Sequence, residues 1–115
     1  MDSKLFQVSK EFHVVYDNVV GLERSAPVTI NGMQVGKVSD IKLINAQGDG
    51  VLVSFSIEND FEFSKSSVIK IYSSGFIGGN NLAVLPNLND PILAQSGDTL
   101  VGELESGMID GLSLI

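Results

Sequence analysis

Hydrophobic and polar residues alternate along most of this chain. In residues 11–16, Phe12, Val14 and Tyr16 fall on one face of an extended strand, and the residues between them fall on the other. Residues 51–57 repeat the pattern with valine, phenylalanine and isoleucine. Other short segments of this kind are residues 28–30, 33–35, 38–44, 68–72, 82–85 and 99–101. The pattern predicts seven short strands, one fewer than the eight segments, and is typical of a small all-β barrel or sandwich.

Turn residues separate these segments. Asn31 and Gly32 stand between two apolar segments and predict a type I′ hairpin, because both residues tolerate a positive φ. Residues 58–65 carry Phe61 and Phe63 between acidic and polar positions. We expect this stretch to be an edge segment or a loop that packs both rings inward.

Residues 73–81 form a glycine-framed loop with Phe76 and Ile77 at its centre. A phosphate-binding loop is disfavoured, because no Lys-Ser or Lys-Thr pair follows and the next element is a strand. A plain hairpin turn would present polar residues to water, whereas this one would expose two large apolar side chains. We therefore expect a partner, a lipid or a neighbouring copy of the loop to cover them.

The last eleven residues change period. Met108, Ile109, Leu112 and Ile115 recur at helical spacing, which predicts a short C-terminal helix that stops while it is still apolar.

Composition narrows the function classes. The 115 residues suit one domain, and the net charge of −7 disfavours nucleic acid as a partner. The absence of cysteine excludes disulfides and thiolate sites. His13 is the single histidine, which disfavours metal and general-base sites built from pairs of imidazoles. We therefore predict no metal, no cofactor and no catalytic site. No apolar run approaches the roughly 18 residues needed to span a bilayer. We expect a membrane anchor to have preceded Asp2.

The order of the motifs resembles the MCE domain family. Residues 16–22 (YDNVVGL) and 27–38 (PVTINGMQVGKV) are similar to its opening aromatic-Asp-x-x-x-Gly-Leu and Pro-Val-x-Ile-x-Gly-x-x-Val-Gly-x-Val signatures. Residues 74–78 (SGFIG) resemble its Ser-Gly-Leu-Leu-Gly loop, residues 82–86 (LAVLP) its next strand, and residues 96–100 (SGDTL) its Gly-Asp-x-Ile step. The layout is most similar to the single-domain MlaD branch of the family.

This resemblance implies a seven-stranded MCE β-barrel with a short, truncated C-terminal helix. The implied domains are an N-terminal stub at 1–10 after a removed membrane anchor, a barrel at 11–101 and the start of a helical tail at 102–115. It also implies a periplasmic domain of an inner-membrane-anchored protein in a diderm bacterium.

The implied function is that of the substrate-binding or conduit subunit of an ABC-type phospholipid transport system between inner and outer membranes. The implied partners are phospholipid, ABC permease and ATPase subunits, and a soluble periplasmic lipid carrier. Family members form a homohexameric ring with a hydrophobic central pore. The resemblance leaves open whether this chain alone forms the ring or stays monomeric.

The same resemblance assigns roles to individual residues. Phe76 and Ile77 would line the pore and contact lipid, where the family more often has two leucines. The residues framing that loop are Ser74, Gly75, Gly78 and Gly79, and those packing in the C-terminal helix are Met108, Ile109 and Leu112. The alternative is a non-enzymatic adhesion or protein-interaction module that uses the apolar loop at 75–79.

Overall fold

A computed structural model describes residues 9–73 and 79–108 of the chain. The strands are β1 (Ser9–Tyr16), β2 (Pro27–Ile30), β3 (Met33–Leu43), β4 (Val51–Glu58), β5 (Val68–Ser73), β6 (Asn80–Leu85) and β7 (Thr99–Leu104). They form a closed barrel in the order β1-β4-β3-β2-β6-β5-β7. The predicted all-β class and the seven-stranded barrel are confirmed.

The residues that the alternating pattern assigns to the inner face of the strands are buried in the barrel. Phe12, Val14 and Tyr16 of β1 are buried, and β1 pairs antiparallel with β4 so that Phe12 lies opposite Phe55. Phe63 joins them from the β4–β5 connection, with its ring centroid 5.0 Å from that of Phe12. Phe61 is half-buried against the same core, so the predicted inward packing of both rings is confirmed.

The β2–β3 hairpin turns at the predicted residues. Asn31 has a φ of 52° and Gly32 a φ of 84°, the left-handed conformations that a type I′ turn requires. Beyond the turn, the predicted segments 33–35 and 38–44 belong to one strand, β3. A bulge at Val35 in the β2–β3 pairing interrupts the alternation between these segments, so Val35 and Val38 are both buried although they are three residues apart. A second bulge, between Val38 and Asp40, shifts the register of β3 against β4.

The barrel extends further at both ends than its predicted limits of 11 and 101. β1 begins at Ser9, and β7 continues to Leu104 because its parallel partner β5 offers backbone groups as far as Ile71. Gly102 suits this extension, since a Cβ there would lie 2.6 Å from the Tyr16 ring. Residues 102–104, predicted as the start of the tail, therefore belong to the barrel.

Large side chains fill the barrel interior. Phe12, Phe55, Ile57, Ile69, Ile71 and Leu82 are among those less than 2% exposed. A barrel of this size normally holds a packed core or one small ligand. Here the described interior is a packed core, so a single barrel has no lumen for an acyl chain.

The two ends of the barrel differ in what they carry. The first, here called the loop end, holds the C-terminal ends of β1, β5 and β7 and the start of β6. The opposite end, called the hairpin end, holds the start of β1 and the Asn31-Gly32 turn. The chain thus enters the barrel at one end and leaves it at the other.

The predicted C-terminal helix lies mostly outside the described residues. Residues 106–108 form a turn in which the Met108 amide donates to the Glu105 carbonyl at 3.2 Å, and residues 9–73 and 79–108 contain no helix. Met108 is half-buried against the core. Ile109 and Leu112 are not described, so their helical packing stays a prediction.

Candidate functional site

The candidate site is the connection between β5 and β6 at the loop end. Ser73 pairs with Asn80 in the last register position of this hairpin, so the two strands deliver the ends of the loop side by side. Residues 74–78, which include Ser74, Gly75, Phe76, Ile77 and Gly78, lie outside the described residues, and their roles stay predictions. Gly79 is described and exposed. The described residues define the base from which the loop starts.

Glu105 holds the β5 side of this base. It is the first residue after β7, and its amide donates to the Ile71 carbonyl at 2.9 Å. The Ser73 amide in turn donates to Glu105 Oε1 at 3.1 Å. The C-terminal end of β5 is therefore hydrogen-bonded by both the backbone and the side chain of Glu105, the residue that begins the tail.

Asn80 holds the β6 side. Its Nδ2 donates to the carbonyl of Val20, in the connection between β1 and β2. Val20 has a φ of 45°, a left-handed conformation that costs free energy for a β-branched residue. The Asn18 side-chain oxygen accepts the Val20 amide at 2.7 Å and helps to hold that conformation.

Three chain segments therefore converge at the base of the β5–β6 loop. They are the β1–β2 connection through Val20, the hairpin itself through Ser73 and Asn80, and the start of the tail through Glu105. Leu22 anchors the first of these segments, because it is buried in the core and its amide donates to the Val19 carbonyl at 2.9 Å. The loop starts from a fixed frame that is connected to the tail.

Tyr16 and His13 both form side-chain hydrogen bonds within the barrel. The described residues include no group of three or more acidic or histidine side chains able to hold a metal ion. Tyr16 donates its hydroxyl to the Ile69 carbonyl at 2.6 Å inside the barrel, and burial raises its pKa above the ordinary value. His13 lies on the outer wall with its Nδ1 2.8 Å from the Ser54 hydroxyl. Neither residue adjoins the loop base.

Sequence reasoning missed the residues that form this base. Glu105 resembled the other scattered carboxylates, and Asn80 was notable only as part of an Asn-Asn pair after the glycines. The contacts that reveal them join residues 32 and 60 positions apart in sequence. The one available signal was that Glu105 directly follows the last alternating residues of β7. Among the described residues, no helix has the length and apolar character needed to cross a bilayer.

Comparisons with known proteins agree on one family. The family model described as "MlaD protein" matches residues 8–87. Two curated proteins named "Intermembrane phospholipid transport system binding protein MlaD", from Escherichia coli K12 and O157:H7, are each 31% identical over 102 residues. Each alignment covers 84% of this chain and 55% of the relative. The chain thus spans about half the length of the curated relatives it matches.

A solved structure shares the fold. A chain of the "Acinetobacter MlaFEDB complex in ATP-bound Vtrans1 conformation" superposes with a TM-score of 0.79. The match covers 94% of this chain and 81% of that chain at 16% sequence identity. At this identity the likeness establishes the barrel architecture alone.

Proposed function

Since this chain belongs to the MlaD family of MCE-domain proteins, we propose that it is the conduit subunit of an ABC-type phospholipid transport system. Family membership confirms the resemblance seen in the ordered motifs. The proposed system moves phospholipid between inner and outer membranes, with this domain in the periplasm and an anchor in the inner membrane. The protein itself would be non-catalytic.

The filled barrel interior is the observation that carries this proposal. Phospholipid tails cannot pass through a core in which Phe55 and Ile57 are fully buried, so a hydrophobic path has to form between copies of the chain. A hexameric ring would supply that path on its central axis. Its lining would come from a loop rather than from the barrel walls.

The 74–79 loop is the part of the chain best suited to that lining. It contains Phe76 and Ile77, and its base is fixed at Ser73 and Asn80 by contacts to two other segments. A ring of these apolar side chains would favour acyl chains over ions, because burial of apolar surface contributes a free energy of about 25 cal/mol per Å². The fixed base would keep the side chains in place as lipid passes.

The orientation of the barrel fits the proposed partners. A membrane anchor preceding β1 would join at the hairpin end, next to a permease and its ATPase. The 74–79 loop would then lie on the far side, where a soluble periplasmic carrier could receive or deliver lipid. The alternative of an adhesion module has no support from the relatives that match.

The proposal is tested by making the loop polar in the full-length protein. We expect the double substitution Phe76→Asp and Ile77→Asp to abolish the contribution of the protein to outer-membrane integrity while its barrel unfolds at the wild-type temperature. Leu88→Asp is the matched control, because Leu88 is 91% exposed and lies in the β6–β7 connection, away from the loop base. Wild-type membrane integrity in the double variant would refute the pore-lining role.

A further inference from the structure

The turn between β2 and β3 joins an asparagine to a glycine, and this pair is chemically reactive. Asn31 is the only one of the chain's eight asparagines that is followed by glycine. A backbone nitrogen can attack the side-chain carbonyl carbon of the asparagine before it and close a five-membered ring. Glycine favours this attack, because it has no Cβ to obstruct the approach. The turn is therefore a candidate site for spontaneous deamidation.

Both reacting groups are exposed to solvent. Asn31 and Gly32 lie on the surface, and within residues 9–73 and 79–108 neither the Asn31 side chain nor the Gly32 amide has a hydrogen-bond partner. An added Cβ on Gly32 would meet nothing within 4 Å, so the space beside this residue is open. No contact in the described part of the chain has to break before the Gly32 nitrogen approaches the Asn31 side chain.

Other asparagines are held by contacts that Asn31 lacks. The side-chain oxygen of Asn18 accepts the Val20 amide at 2.7 Å, and that of Asn87 accepts the Asn89 amide at 3.1 Å. Each of these two asparagines is also followed by a residue that has a Cβ. Ring closure there would break the hydrogen bond and meet the obstructing side chain. We therefore expect Asn31 to react before them.

The hairpin can accommodate the rotation that ring closure requires. Closure rotates the peptide unit between Asn31 and Gly32, which converts a type I′ turn towards type II′. Asn31 has a φ of 52°, and a type II′ turn also needs a positive φ at this position. Gly32 has a φ of 84° and must change its sign, which glycine does at little cost. Both turn types close a two-residue hairpin, so the pairing of Ile30 with Met33 can stay formed.

We propose that Asn31 is a deamidation site of the folded protein. The Gly32 nitrogen bonds to the side-chain carbonyl carbon of Asn31, and its proton passes to the side-chain nitrogen, which leaves as ammonia. Water then opens the resulting succinimide at either of its two carbonyls. Opening at one carbonyl gives aspartate. Opening at the other gives isoaspartate, in which the main chain runs through the former side chain and is longer by one carbon.

Either product changes the hairpin end of the barrel. Each adds one negative charge to a chain whose net charge is already −7. Isoaspartate also lengthens a turn whose two residues fit between Ile30 and Met33, so we expect that pairing to open. The 74–79 loop starts at the other end of the barrel, so lipid binding by that loop and modification of this turn can be measured separately.

Peptide mapping by mass spectrometry tests the site after folded protein has been incubated in mildly alkaline buffer. We expect Asn31 to be the first described asparagine to convert, with both aspartate and isoaspartate formed. Asn31→Gly is the matched control, because Gly-Gly also supports this turn and has no side-chain amide. On isoelectric focusing, the wild type should acquire an acidic species that the control does not acquire over the same period.

The same incubation in concentrated urea gives the reaction rate of the unfolded chain. If global unfolding were required, the folded chain would react at least about 1,000-fold more slowly, because unfolding equilibrium constants are about 10³ or more. We expect a smaller ratio, since opening of one turn costs less free energy than global unfolding. A slowing of that size, conversion of another described asparagine before Asn31, or an equal acidic species from Asn31→Gly would overturn the inference.

Discussion

Glu105 is expected to stabilise the β5 side of the loop base through a single side-chain contact. Replacing it by alanine removes the acceptor of the Ser73 amide, which lies 3.1 Å from Glu105 Oε1. A hydrogen bond of this kind contributes about 0.5–1.5 kcal/mol net, which corresponds to roughly a 2- to 13-fold change in the opening equilibrium. Amide hydrogen exchange of Ser73, followed by NMR, should accelerate by that factor in Glu105→Ala.

Two further variants separate this contact from general effects of charge and folding. Glu105→Gln keeps an acceptor oxygen at the same position, so Ser73 should exchange close to the wild-type rate. Glu103→Ala removes an exposed carboxylate two residues earlier on β7 and should leave Ser73 unchanged. Unchanged Ser73 exchange in Glu105→Ala, or equal acceleration in all three variants, would refute the assigned role.

Two other predictions concern the barrel that carries the loop. Burial raises the Tyr16 pKa, so above a pH of about 10 the unfolded state loses the phenol proton first and wild-type stability falls by up to about 1.4 kcal/mol per pH unit. Tyr16→Phe lacks that decline but loses the 2.6 Å hydrogen bond to the Ile69 carbonyl. Urea unfolding should therefore find the variant less stable than wild type at pH 8 and progressively closer to wild type above pH 10. Parallel pH profiles of stability for the two proteins would contradict this. Gly36→Ala would place a Cβ 1.8 Å from the Ser56 carbonyl oxygen. We expect this clash to lower the free energy of unfolding by about 1–3 kcal/mol, measured by thermal unfolding. Wild-type stability in the variant would show that β3 and β4 are not so closely packed.

Much of the fold could be predicted because its signals are local. Alternation identified the inward residues of β1 and β4, and Asn31-Gly32 identified the hairpin through its need for positive φ. The ordered motifs then identified the family that the comparisons confirm. These features depend on neighbours within a few residues, which a sequence displays directly.

The features that could not be predicted depend on distant partners. The end of β7 is set by pairing with β5, and the bulge at Val38 exists only in relation to β4. The loop base needs Glu105 and Asn80 to meet residues from other segments. The pattern of residues in one sequence does not show which distant segments pair with each other. The roles of Phe76 and Ile77 rest on the family resemblance and on the chemistry of two apolar residues framed by glycines.

The most direct test of the central claim is native mass spectrometry of the full-length protein, extracted with its bound lipid retained. The account predicts a ring-sized oligomer that carries phospholipid, and an oligomer of equal size without lipid when Phe76 and Ile77 are both changed to aspartate. Phospholipid bound to single subunits, or retained equally by the double variant, would contradict a conduit formed between copies by this loop.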